Sequence, residues 1–129
     1  MAEKATVFVV DDDPAVRDAV SVFLGICGFT VVTFDSAEAF LGAAATLNRC
    51  VLVLDQRMDG MSGLELQSEL QRRGVSLPTV FITGHGDAQM YQTAIREGAV
   101  DVLEKPFRNR DLLASIEKAL GPDQVNAGG

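Results

Sequence analysis

One histidine, two cysteines and a shortage of cations rule out several functions for this chain of 129 residues. With His85 as the single histidine and no serine-elbow motif, nothing in the sequence supports hydrolysis by a catalytic triad. Cys27 and Cys50 lie inside apolar patterns without metal-ligand spacing, and are read as small buried hydrophobes rather than a disulfide or ligand pair. No apolar run approaches the roughly 18 residues of a membrane span, and no basic-then-apolar leader opens the chain. A cytoplasmic protein without membrane contact is expected. Eleven Lys+Arg stand against eighteen Asp+Glu, a net charge of -7. Gripping a phosphate backbone depends on cationic contacts, so direct nucleic-acid binding by this segment is not expected. A DNA-binding partner or fused domain stays open.

What is present is apolar and periodic. Hydrophobic residues make up 47% of the chain, a globular composition, and the length fits one domain with a real core. Val7 to Val10 is a short apolar run. Asp13 then offers an N-cap and Pro14 a first helical residue. Val16, Val20, Phe23, Leu24 and Cys27 repeat at helical spacing, and Gly28 closes the segment. Phe29 to Phe34 reads as a second strand, and Ser36 as the cap of a short helix carrying Ala39, Phe40 and Ala43. Cys50 to Leu54 reads as a third strand, apolar enough to be buried on both faces. A helix from Gly63 to Arg73 stops at Gly74, with Arg72 and Arg73 as its cationic last turn. Pro78 to Thr83 gives a fourth strand, and the turn Gly84-His85-Gly86-Asp87 leads into a helix with Met90, Ala94 and Ile95. Ala99 to Leu103 gives a fifth strand, and Asn109 to Leu120 a final helix with the stripe Leu112, Leu113, Ile116, Ala119 and Leu120.

This alternation predicts an α/β fold: a doubly wound (βα)5 domain over residues 5–121, with right-handed crossovers. Residues 122–129 are expected to be a flexible tail or truncated linker. Such sheets bind ligands at the carboxyl ends of their strands, and that is where the chemistry collects. Asp11 and Asp12 follow the first strand, Asp55 the third, Thr83 the fourth and Lys105 the fifth. First and third strands are normally adjacent, so three carboxylates share a pocket and require a cation or raised pKa values. An all-oxygen site with few protein ligands suits Mg²⁺. A carboxylate beside a metal can act as a nucleophile and form an aspartyl phosphate. Lys105 and Thr83 would then contact phosphoryl oxygens, and Gly84 would leave room for the group. Met58 and Met61 flank this pocket as loop packing; His85 is read as a loop histidine near it.

At these residues the chain resembles the receiver domains of two-component response regulators, the CheY-like family. The match runs from about Thr6 to Leu120. It rests on Val9-Val10-Asp11-Asp12-Asp13, Leu54-Asp55 with Gly60-Met61-Ser62-Gly63-Leu64, Ile82-Thr83-Gly84-His85-Gly86-Asp87, and Glu104-Lys105-Pro106-Phe107. The Gly-His-Gly-Asp turn and the Met-Ser-Gly-Leu-Glu-Leu run resemble the branch that often carries a LuxR-type helix-turn-helix output domain. The resemblance implies a five-stranded parallel sheet in the order 2-1-3-4-5, and a histidine kinase or phosphotransfer protein as donor to Asp55. It implies Mg²⁺ (or Mn²⁺) held directly by Asp12 and Asp55, through water by Asp11, and by the Arg57 backbone carbonyl. It further implies a cis Lys105-Pro106 bond, phosphorylation-induced homodimerisation, and a switch controlling transcription. The domain would catalyse only its own phosphorylation and dephosphorylation. Two positions depart from the pattern. Asp59 stands where the family usually has proline, adding an acid near the metal. Val102 stands where it usually has an aromatic ring.

Two other classes are weighed against this one. A phosphatase of the haloacid-dehalogenase kind would use Asp11 as nucleophile, but Ala15 stands where Thr or Val is usual and no cap domain is present. A non-phosphorylated interaction module on the same fold would lack any response to Mg²⁺ and a phosphoryl mimic.

Overall fold

The computed structural model describes residues 5–43, 50–84 and 88–121. Among them five parallel strands form one sheet in the order β2-β1-β3-β4-β5, the expected topology. β1 (Thr6–Val10) lies between β2 (Thr30–Phe34) and β3 (Cys50–Asp55), with Val10 in register with both Phe34 and Leu54. β4 (Thr79–Thr83) follows β3, and β5 (Asp101–Glu104) forms the other edge. β3 is buried at every position, as four consecutive apolar residues require in mid-sheet.

Successive side chains point to opposite faces, so the strands feed two separate cores. Val7, Val9, Val51, Val53, Val80 and Ile82 pack with Val20 and Leu24 of α1 (Pro14–Ile26) and with Leu112 and Ile116 of α5 (Asn109–Leu120). Val10, Leu52, Leu54 and Phe81 pack on the other face. They meet Phe40 of α2 (Ala37–Ala43), Leu66 and Leu70 of α3 (Gly63–Arg72), and Met90 of α4 (Ala88–Arg96). Three rings tighten this second core: Phe40 meets Phe34 edge-on at 5.3 Å and Phe8 at 5.7 Å between centroids.

Local chemistry sets the helix starts. The Asp13 carboxylate accepts the Ala15 N–H at 2.9 Å with Pro14 at the first position, and Ser36 Oγ accepts the Ala39 N–H at 3.0 Å. Ser62 and Glu65 form a capping box on α3. Arg72 and Arg73 both pair with Glu69 within α3's last turns, and hold its carboxyl down at about 2.

Several boundaries move. β5 begins at Asp101 rather than Ala99, because the Ala99 N–H closes α4 on the Ala94 carbonyl at 2.9 Å. It runs on to Glu104, which pairs with Thr83. β2 and β4 start one residue later than expected, β3 extends to Asp55, and α3 ends at Arg72 with Arg73 as its cap. Cys50 is buried and Cys27 half-buried, and neither is in a disulfide. His85 and the tail 122–129 lie outside the described residues.

Gly63 marks where α3 meets the end of β3. A Cβ there would lie 2.6 Å from the Asp55 carbonyl oxygen and 2.9 Å from Phe81 Cε1. Neither backbone nor a core ring can yield cheaply. Gly63→Ala is therefore expected to destabilise the fold by roughly 1–3 kcal/mol, the usual range for overpacking. A urea midpoint matching the parent protein would contradict this.

Candidate phosphoryl and metal site

Where the carboxyl ends of β1, β3, β4 and β5 meet, the polar residues converge. Asp11 immediately follows β1 and is fully buried; Asp12 beside it is exposed. Asp55 ends β3 with 3% of its surface exposed. One carboxylate oxygen from each of Asp11, Asp12 and Asp55 lies within 4.8 Å of the others. Lys105 reaches over from beyond β5, its Nζ 3.1 Å from Asp11 Oδ2 and 3.5 Å from Asp55 Oδ1.

Asp11 has further partners. Its Oδ1 accepts the Asp13 N–H at 2.9 Å, and its backbone carbonyl accepts from Arg17 Nη1 at 2.8 Å. A buried carboxylate needs such partners, since an uncompensated charge costs several kcal/mol. Thr83 is buried at the end of β4, one residue beyond the Asp55–Ile82 register pair, and its carbonyl accepts the Lys105 N–H at 2.7 Å. Gly84 leaves open space: a Cβ there would meet nothing within 4 Å. The Lys105-Pro106 bond is cis.

Electrostatics separates Asp55 from its neighbours. Burial, then the Asp11 charge, pushes its carboxyl up to about 6, with a smaller push from Asp12 and a partial counterweight from Lys105. Burial works against the Lys105 ammonium, but the bond and charge of Asp11 and the charge of Asp55 outweigh it and raise its pKa. Three carboxylates facing one ammonium are short of positive charge. A hard cation fits that shortage, and the donors are all oxygen.

A cavity of about 350 Å³ opens beside the triad, lined by Asp12, Gln56, Arg57, Met58, Asp59 and Ser62. Asp59 is thus on the site's rim, while Met58 and Met61 pack against the second core. Val102 is half-buried and in register with Phe81. Sequence reasoning missed two residues that shape this rim. Gln56 accepts the Gly63 N–H through its carbonyl at 3.0 Å and the Leu64 N–H through Oε1 at 2.8 Å, while Glu38 reaches in from α2.

A model of the response regulator receiver domain matches residues 7–117. The chain belongs to this family. Among curated relatives, the transcriptional regulatory protein TdiR of Thauera aromatica is 47% identical over 116 residues, which is 90% of this chain and 51% of TdiR. The transcriptional regulatory protein FixJ of Azorhizobium caulinodans is 43% identical over 121 residues, 94% of this chain and 57% of FixJ. The receiver domain spans about half the length of these relatives. The crystal structure of FixJ-N superposes with a TM-score of 0.85 at 42% identity, covering 92% of this chain and 95% of that one. The response regulator StyR gives 0.86 at 47% identity, over 97% of this chain and 62% of that one. Receiver domains are the phosphorylation-dependent switches of two-component regulators, and this one is homologous to those of transcriptional regulators. No helix among the described residues is long and apolar enough to cross a membrane.

The raised Asp55 carboxyl has a consequence for stability. Its folded pKa of about 6 lies above the roughly 3.9 of an unfolded aspartate. Between those values the folded state binds the extra proton, so metal-free protein gains stability as pH falls from 7.5 towards 5. The gain over that range is on the order of 1 kcal/mol from one group shifted this far. Urea denaturation in EDTA across that range checks it. Asp55→Asn is expected to be more stable than the parent at pH 7.5 and to lose most of the pH slope. A parent midpoint that falls over this range would contradict the assignment.

Proposed function

We propose that this domain is a Mg²⁺-dependent phosphoacceptor that takes a phosphoryl group onto Asp55 from a histidine kinase or phosphotransfer protein. The observation that carries the reading is the position of Asp55. It is a nearly buried carboxylate at the end of the central strand, 3.5 Å from the Lys105 ammonium and grouped with Asp11 and Asp12.

Asp12 and Asp55 would hold the ion directly, Asp11 through water, and the Arg57 backbone carbonyl would complete the protein's share. Bound there, Mg²⁺ (or Mn²⁺) neutralises charge on the oxygens of the transferring group. The Asp55 oxygen forms the new P–O bond as the P–N bond of the donor phosphohistidine breaks, and the leaving imidazole takes up a proton. Lys105 shifts its ammonium from the carboxylates towards one phosphoryl oxygen, and the Thr83 hydroxyl donates to another. Gly84 leaves the approach clear. Hydrolysis reverses the state: water attacks phosphorus, phosphate departs, and the Asp55 carboxylate is restored. The domain turns over no separate substrate.

Output would follow from a shift in a two-state element that partners read, including a second copy of the domain. Similarity to the transcriptional regulatory proteins TdiR and FixJ supports transcription as the controlled process, through a fused or partner DNA-binding domain in the cytoplasm. The acidic segment itself would not grip DNA. Val102 supplies no ring to swing inward, so the Thr83–Lys105 backbone link is the route from the pocket to β5. Asp59, on the rim, would tune metal affinity and phosphoryl lifetime.

Acetyl phosphate with Mg²⁺ is expected to add one phosphoryl mass to the intact protein. Asp55→Asn abolishes the addition, and Asp12→Asn shifts the Mg²⁺ requirement upward by at least tenfold. Labelling that persists in Asp55→Asn, or that ignores EDTA, would sink the reading.

A further inference from the structure

The loop between β3 and α3 carries the Arg57 carbonyl proposed as a metal ligand, yet little in its own sequence stiffens it. Residues 56–62, Gln-Arg-Met-Asp-Gly-Met-Ser, contain no proline, and Gly60 adopts a φ of 80° that other residues reach with strain. Its inner end is anchored: Gln56 holds the Gly63 and Leu64 N–H groups and so fixes the start of α3. Its outer end is held from elsewhere. Glu38 Oε2 accepts the Met61 N–H at 3.0 Å, across 23 residues of sequence. The same oxygen lies 2.7 Å from where a Cβ on Gly60 would stand. The carboxylate therefore sits directly against the left-handed turn, whose φ is what favours glycine there.

α2 gives Glu38 a firm base. Ser36 caps the helix, Ala37 and Phe40 on either side of Glu38's turn are essentially inaccessible, and Phe40 is wedged between Phe8 and Phe34. Across the loop, Arg57 and Asp59 face Asp12 over the 350 Å³ cavity. A displacement of the loop changes the separation of Arg57 from Asp12. That separation is what a small octahedral cation is sensitive to, because it tolerates little departure from ideal geometry.

We infer that Glu38 is a positioning residue for the metal site: by holding the Met61 N–H it sets the distance between the Arg57 carbonyl and the aspartates. This rests on the metal site proposed above. Glu38 touches neither the ion nor the phosphoryl group, and it acts through a hydrogen bond rather than through its charge.

Calorimetric Mg²⁺ titration of the parent, Glu38→Ala and Glu38→Gln separates these roles, alongside acetyl phosphate labelling at several Mg²⁺ concentrations. Glu38→Ala is expected to bind Mg²⁺ about fivefold more weakly, equivalent to about 1 kcal/mol. Its labelling rate recovers at saturating Mg²⁺, and its urea midpoint stays near the parent's, since Glu38 is exposed. Glu38→Gln keeps an acceptor oxygen and binds within twofold of the parent. Parent-like affinity in Glu38→Ala overturns the inference. Equal weakening in both variants also overturns it, because charge rather than the hydrogen bond would then be at work. A parent protein that itself neither binds Mg²⁺ nor labels would instead overturn the metal site, and this inference with it.

Discussion

The rest of this structure depends on how a fully buried carboxylate, Asp11, is partnered at the carboxyl end of an interior strand. It is held by one ammonium from the far end of the chain and one backbone N–H two residues on, against the repulsion of two more acids beside it. Lys105 makes that contact across 94 residues, reaching from the edge strand past β4 and β3 to β1. A lysine can do this because its long stem spans the strand ends while its head stays in the polar cleft. The bond ties the residue after β5 to the residue after β1 across the site.

That arrangement leaves the site under electrostatic tension by design of its parts. One ammonium is shared by Asp11 at 3.1 Å and Asp55 at 3.5 Å, while Asp12 stands exposed beside them. Asp11 takes the shorter contact and complete burial; Asp55 is left with the raised carboxyl. The apolar strands beneath do the supporting. Val53 and Leu54 are inaccessible and locked into opposite cores, so the last residue of β3 has little freedom to retreat from its neighbours. Repulsion among the acids is therefore not relieved by the backbone giving way, which suits the site to a cation.

How much of this could be read from residues alone follows the distance between partners. The Asp13 cap was legible because donor and acceptor lie two residues apart and Pro14 marks the spot. The strands were legible because runs such as Val51 to Leu54 have no other stable use. The start of β5 was not: Ala99 and Val100 have strand-like side chains, but the Ala99 N–H is taken by the end of α4, and only tertiary contact reveals it. Asp101 hides in the same way, accepting the Val102 N–H and the Ser115 hydroxyl and so tying β5 to α5. Gln56 and Glu38 were illegible for a sharper reason. Each binds backbone N–H groups, and a backbone donor has no signature in the sequence. The side-chain chemistry of the pocket could be inferred from residue types, whereas the scaffolding of its loop could not.

The same distinction bears on how a signal leaves the pocket. A ring at position 102 would couple pocket to surface through a side-chain rotamer, which sequence can display. Val102 is branched at Cβ, half-buried and beside Phe81, with few rotamers to exchange. What joins the pocket to the edge of the sheet instead is main chain: the Thr83 carbonyl accepts the Lys105 N–H, and Thr83 and Glu104 are paired in the ladder. The two residues that would grip a phosphoryl group are thus bonded to each other through backbone. A shift of one carries the other and the end of β5 with it. In the phosphoryl transfer proposed above, Lys105 would be drawn away from Asp11, and the pair that stabilises the resting site would be the one loosened.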